Sequence, residues 1–173
     1  MTNLHQLFIG WQDCGLDFKP LTADDWTVFS ALYCSQKTMR RISNALSIEE
    51  ALQLFTRTLT LQEKQKIIWL VIRNSSDQSV LGLCGIPCIK HCSAEVGIML
   101  LPESHGKHIA LNALASLARK AFYCLSIKMV YSKIQPKNYA AQRLVRRLGF
   151  RLTLTPGPEQ YWQLDHPPLS TFS

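Results

Sequence analysis

The order of elements between Ala94 and Phe150 constrains this chain more than anything else in it. Ala94–Leu101 (AEVGIMLL) is an apolar run of strand length, closed by Pro102. A short polar loop, Pro102 to Lys107, leads into Ile109, Ala110, Ala113, Leu114, Leu117, Ala118, Ala121 and Phe122, which recur at helical spacing. The polar residues Asn112, Ser116, Arg119 and Lys120 make one narrow stripe, so a helix over 109–125 is expected to lie largely buried on a sheet. Lys128–Gln135 reads as a second strand, broken by Pro136. Asn138 to Leu148 reads as a second helix, stopped by Gly149. The loop before the first helix holds small and basic residues, His105-Gly106-Lys107-His108. First-turn N–H groups of a helix lack intrahelical partners, and the helix dipole adds about half a positive charge there. This is a candidate anion-binding site on an α/β scaffold.

The preceding half supplies antiparallel strands. Leu16–Leu21 alternates as a strand, and Thr22 with Asp25 three residues on is close to a capping box. Trp26, Phe29, Leu32 and Tyr33 then follow helical spacing. Ser47 and Glu50 cap a further helix with the stripe Ala51, Leu54, Phe55 and Leu59. Lys66–Arg73 (KIIWLVIR) is rich in β-branched and aromatic residues and reads as a central strand. Asn74–Asp77 is a turn, Ser79–Ile86 the returning strand, and Pro87 a bulge or break. Phe150–Leu154 and Gln160–Leu164 form a last pair around Pro156-Gly157-Pro158. The whole, 1–173, reads as a single mixed α/β domain. Residues 1–14 are expected to be a loosely attached extension and 166–173 a frayed tail.

Composition bears mainly on partners. No apolar run approaches the ~20 residues of a membrane span, and no export signal precedes the first strand, so a cytoplasmic protein is expected. The net charge of +7 suits an acidic ligand, nucleic acid or nothing specific. No stripe of aromatics interleaves with Lys and Arg, which argues against nucleic acid. Arg143, Arg146, Arg147 and Arg151 read as a solvated face or as an attraction for phosphates. Of six cysteines, Cys84, Cys88 and Cys92 are spaced by four. In an extended segment that puts them on one face as small hydrophobes, and no metal is expected.

The residues also resemble a known pattern, that of the GNAT superfamily of acetyl-CoA-dependent N-acetyltransferases, particularly its Rim-type branch. That branch includes acetylases of ribosomal-protein N-termini. The family's loop pattern, Gln/Arg-x-x-Gly-x-Gly/Ala, falls on His105-Gly106-Lys107-His108-Ile109-Ala110. Its later Asn, opening a helix that ends Leu-Gly-Phe, falls on Asn138 and Leu148-Gly149-Phe150. The opening strand and cap fall on Phe18-Lys19-Pro20-Leu21-Thr22-Ala23-Asp24-Asp25. The resemblance implies a mostly antiparallel twisted sheet with a splayed central parallel pair and about four flanking helices. It implies acetyl-CoA as acyl donor, with no metal, and an acceptor that is a protein N-terminus or a small-molecule amine. A monomer or a homodimer fits it equally.

It also assigns residues. The main chain of Ile98, Met99 and Leu100 would pair with the pantetheine arm. Residues His105, Gly106, Lys107, His108, Ile109, Ala110 and Leu111 would take the pyrophosphate, and Asn138 the coenzyme arm. Attack on a thioester requires a neutral amine, so a base is needed. Glu95, at the start of an apolar strand, is the best candidate beside the plain reading of a solvated strand-end carboxylate. His91, His105 and His108 are alternatives. Two departures stand out. His108 replaces a usual Gly: if that Gly serves only backbone flexibility, His is tolerable in a helical first turn, and if it makes room for pyrophosphate, His108 would weaken binding or turn its side chain to the phosphates. The usual proton donors to the leaving thiolate, a Ser and a Tyr, are Ala141 and Val145 here, with Tyr139 on a different face. The rival expectation is a non-catalytic acyl-CoA-binding or regulatory module. Acceptor choice is expected to lie in Trp26–Leu61 and the loop around Pro156–Pro158.

Overall fold

A continuous apolar run needs cover on both faces, and Ile68–Ile72 at the centre of the chain's sheet has it. The computed structural model describes Leu4, residues 6–153 and residues 157–166. Its strands are β1 Trp11–Asp13, β2 Leu16–Pro20, β3 Ile68–Asn74, β4 Val80–Lys90, β5 Ser93–Leu100, β6 Met129–Ile134, β7 Arg151–Thr153 and β8 Gln160–Asp165. They form one sheet in the order β1-β2-β3-β4-β5-β6-β8-β7, antiparallel throughout except for β5 with β6. The helices are α1 Trp26–Tyr33, α2 Gln36–Met39, α3 Ile48–Glu63, α4 Ile109–Leu125 and α5 Tyr139–Arg147. The expected mixed, mostly antiparallel sheet with a central parallel pair is present; the helix beyond the expected four is the single turn α2.

Two cores lie on opposite faces. Leu70, Ile72, Cys84, Ile86, Ala94, Val96 and Leu100 pack under α4 and α5. Val71, Leu83 and Met99 pack under Phe29, Leu32, Met39 and Phe55 of α1 to α3. The helix starts follow their sequence signals. Ser47 Oγ accepts from the Glu50 N–H (3.1 Å) while the Glu50 carboxylate takes the Ser47 N–H (2.8 Å). The Asp25 carboxylate likewise accepts the Thr22 N–H at 2.9 Å, across a 3₁₀ turn that precedes α1.

Two expectations fail for identifiable reasons. The described residues before 14 are packed on the sheet: Leu4 and Phe8 are buried, and Trp11 stacks on Phe18 at 4.0 Å. Asp13 then accepts from Ser116 Oγ (2.6 Å) and Arg119 (2.7 Å) on α4. What reads as a solvent stripe on α4 is therefore partly a seat for β1. The Ser116 hydrogen bond, reinforced by Arg119, lowers the Asp13 pKa to about 2 against the opposing effect of burial. The second failure is the cysteine face. The register of β4 on β5 slips between Gly85 and Cys88, at the bulge that contains Pro87. Cys84 packs into the α4 core whereas Cys88 pairs with Glu95 on the other side, and Cys92 is exposed beyond the strand's end. Burial alone pushes the Cys84 thiol up. Expected structure at residues 154–156 and 167–173 lies outside the described residues. No helix among the described residues is long and apolar enough to cross a membrane.

Candidate active site

Only three register pairs join β5 to β6: Ser93–Met129, Ala94–Val130 and Glu95–Tyr131. Both strands continue without pairing, β5 to Leu100 and β6 to Ile134. Ser132 Oγ, donating to the Val96 carbonyl at 2.7 Å, is the tie at the start of the opening. Successive residues of a strand turn their N–H and C=O to opposite edges. Val96 therefore sets Ile98 and Leu100 toward the opening as well. Two contacts agree with that phase. The Leu101 N–H donates to Leu81 of β4 at 2.9 Å, and the Met99 carbonyl lies against Gly82 of β4. Within the expected segment 98–100, Ile98 thus presents its main chain to the opening and Met99 presents its own to β4. The Leu100 carbonyl faces the opening but meets His105 Nε2 at 3.2 Å, which requires that nitrogen to carry the proton.

The loop after β5 makes a 3₁₀ turn over Pro102–Ser104 and then two left-handed residues. Gly106 has φ +82, and nothing lies within 4 Å of where a Cβ would stand. His108 has φ +57 and ψ 6 and is the N-cap of α4. It is not in the helical first turn, the setting that would make His acceptable there. The chain needs a left-handed residue to swing from loop to helix, a conformation that costs a β-carbon roughly 1–2 kcal/mol and suits Gly. The His108 side chain makes no cap, and the first helical bond runs from the Asn112 N–H to the His108 carbonyl at 3.0 Å. The N–H groups of Ile109, Ala110 and Leu111 precede that bond and point out of the helix end beside Gly106 and Lys107. Asn138 caps α5, its Oδ1 accepting the Ala141 N–H at 3.2 Å. That cap uses Oδ1 and leaves the amide NH₂ outside it.

A second constellation occupies the sheet face opposite α4. Cys88, Glu95 and Tyr131 stand in register on β4, β5 and β6. Lys133, two residues past Tyr131, places Nζ 3.1 Å from Glu95 Oε2 and 5.7 Å from the centre of the Tyr161 ring. Tyr131 and Tyr161 stack at 5.8 Å. The Glu95 hydrogen bond raises the Lys133 pKa, so the ammonium is held charged. Burial, the Cys88 thiol and the Glu95 charge raise that of Tyr131, so its phenol is held as an O–H. Gly97 lies two residues beyond Glu95 on the same face, with nothing within 4 Å of a Cβ built on it. The open space over Gly97, a recess in the sense that no side chain fills it, lies on the face that carries the Glu95–Lys133 pair, beyond the last paired residues of β5 and β6.

The structure sorts the candidate bases. His91 sits in the β4–β5 turn, at the closed end of the parallel pair and ~23 Å of strand from Ile98. The His105 ring is engaged with Leu100, and His108 is on the loop. Glu95 alone of the four stands on the recess. Val145 is buried in the core and Tyr139 is 63% exposed. Sequence reading missed Tyr131, Tyr161 and Ser132. Alternation along KMVYSKIQ places Tyr131 and Lys133 on one face, but the register that sets them beside Glu95 comes only from the fold. Among the described residues, no three His, Cys, Asp or Glu side chains gather as a metal site.

The same fold recurs among known proteins. The model of the acetyltransferase (GNAT) domain matches residues 16–151. An uncharacterized N-acetyltransferase of Bacillus subtilis (strain 168), YoaA, is 25% identical over 141 residues, covering 79% of each chain. The fold is shared with an acetyltransferase from Agrobacterium tumefaciens (TM-score 0.79, 18% identity, 90% of this chain and 94% of that one). It is shared too with a ribosomal-protein-S5-alanine acetyltransferase from Vibrio fischeri (TM-score 0.70, 13% identity, 90% and 94%).

Proposed function

Because the chain belongs to the GNAT family of N-acetyltransferases, we propose that it moves the acetyl group of acetyl-CoA to a primary amine by direct attack in a ternary complex. The observation that carries this reading is the opening between β5 and β6, with the main chain of Ile98 turned into it. Acetyl-CoA supplies the activated acetyl group as a thioester. The N–H groups of 109–111 and Lys107 suit its diphosphate, and open space at Gly106 leaves room for close approach. Ile98 offers the pantetheine arm an unpaired strand edge. Its N–H is also placed to donate to the thioester oxygen as that atom gains charge.

Glu95 takes the proton that the acceptor ammonium must lose, directly or through water. The new N–C bond then forms as the C–S bond breaks. Ala141 and Val145 offer the sulfur no proton, but a thiol with a pKa near ~8.5 leaves as thiolate without much help. The acceptor is a protein N-terminus or a small-molecule amine.

The test combines binding with turnover. Acetyl-CoA should raise the melting temperature of the purified protein, and primary amines should then release free thiol from it. A melting shift with no thiol release from any amine would favour the non-catalytic binding module. No shift at all would contradict the coenzyme site.

A further inference from the structure

The Glu95–Lys133 pair bears on which amine is accepted, an inference that rests on the acetyl-transfer reading of this site. The recess is floored by one carboxylate and one ammonium 3.1 Å apart, with side chains 19% and 31% exposed. Gly97, two residues along the same face from Glu95, has open space where a Cβ would stand. A polycation entering here would meet a carboxylate already matched by an ammonium at 3.1 Å. To reach Glu95 it would displace Lys133 and leave that ammonium facing a second cation. An acceptor bearing both signs meets the opposite situation, because each of its charges finds a partner when the pair opens.

We propose that the acceptor is zwitterionic: a primary amine carrying an anionic group close enough for both charges to reach the Glu95–Lys133 pair, whose charged atoms stand 3.1 Å apart. Its ammonium replaces Lys133 at Glu95, and its anion takes the Lys133 ammonium. Partner exchange frees the Glu95 carboxylate for the proton it must accept and fixes the amine over Gly97. Lys133 is then a specificity residue, held in place by the Tyr161 ring beneath it. An acidic side chain next to a peptide N-terminus and a free acidic amino acid share this chemistry.

Initial rates of thiol release test it. The acceptors are a short peptide with Asp at its second position, the same peptide with Asn there, free glutamate, and spermidine. The Asp peptide or glutamate should exceed both the Asn peptide and spermidine by about tenfold or more in kcat/KM. Whichever of those two is faster identifies the source of the anion. Lys133→Met, which keeps the packing on Tyr161, should bring the four acceptors to within about threefold while acetyl-CoA still raises the melting temperature. Lys133→Arg should retain the preference. Spermidine or the Asn peptide matching the anionic acceptors, or a preference that survives Lys133→Met, would overturn the inference alone. Thiol release from no amine at all would overturn it together with the reading beneath it.

Discussion

The two halves of the site are built from different material. The half proposed to hold the coenzyme is main chain: the strand edge at Ile98, the left-handed loop at Gly106 and His108, and the N–H groups that open α4. The half proposed to meet the acceptor is side chain: Glu95, Tyr131, Lys133 and Tyr161, drawn from three strands. A main-chain site survives sequence drift as long as the path of the backbone is kept. His105 stands where the resembling pattern has Gln or Arg, and its ring meets the Leu100 carbonyl at 3.2 Å. A side-chain site changes its chemistry with each substitution. Lys133, by pairing with Glu95 at 3.1 Å, leaves that carboxylate matched rather than alone.

That contrast predicts unequal sensitivity. The largest effect belongs to the acceptor half: Glu95→Gln should lower kcat by ~10²–10⁴ with acetyl-CoA binding retained. The acid limb of the pH–rate profile should flatten as well. Turnover near wild type would remove Glu95 from the role of base. In the coenzyme half, Gly106→Glu puts a side chain and a negative charge where the diphosphate is read. It should abolish a stabilisation of about 2.7 kcal/mol at a hundredfold excess of acetyl-CoA over Kd. A folded variant with the full melting shift would place the coenzyme elsewhere.

Smaller effects test the scaffold. Asp13→Ala removes the acceptor of Ser116 and Arg119 and should cost about 1–2 kcal/mol, read by denaturant unfolding at neutral pH. The folded Asp13 pKa is depressed, so its contribution is complete above the unfolded value near ~3.9 and is lost as pH falls through about 2. The difference between wild type and variant should therefore shrink over that acid window. If it persists unchanged there, the Asp13 charge is not what holds β1 on α4. His108→Gly should change free-protein stability by no more than about 1 kcal/mol, because relief of the left-handed strain opposes added unfolded-state entropy. It should tighten acetyl-CoA binding a few-fold by clearing the loop; weaker binding would mean that the imidazole itself contacts the phosphates.

Much of the coenzyme half was legible in the sequence because it depends on element order. The strand 94–101, the proline stop, the helix 109–125 and the Asn138 cap each follow from local signals, and the structure sets α4 at Ile109–Leu125. The left-handed setting of His108 was not legible, since His, though enriched among non-glycine residues there, adopts that conformation at only a small share of positions. The acceptor half was legible only at Glu95. Its partners lie 36 and 38 residues away, at Tyr131 and Lys133, and depend on a three-pair parallel register that hydrophobic pattern does not encode. The same limit hid Asp13, whose partners on α4 are more than 100 residues on. Gln62 is the parallel case in the scaffold. A polar residue inside α3, it is buried because its amide donates to the Leu21 carbonyl at 2.8 Å and accepts the Trp69 N–H at 2.6 Å.

The measurement closest to the central claim is amide hydrogen exchange along β5 with and without acetyl-CoA. The Ile98 N–H faces the opening, whereas the Met99 main chain faces β4. Saturating acetyl-CoA should slow exchange at Ile98 strongly and leave Met99 little changed. Equal slowing along the whole strand, or an unchanged Ile98 beside a protected 109–111, would contradict a pantetheine arm seated between β5 and β6.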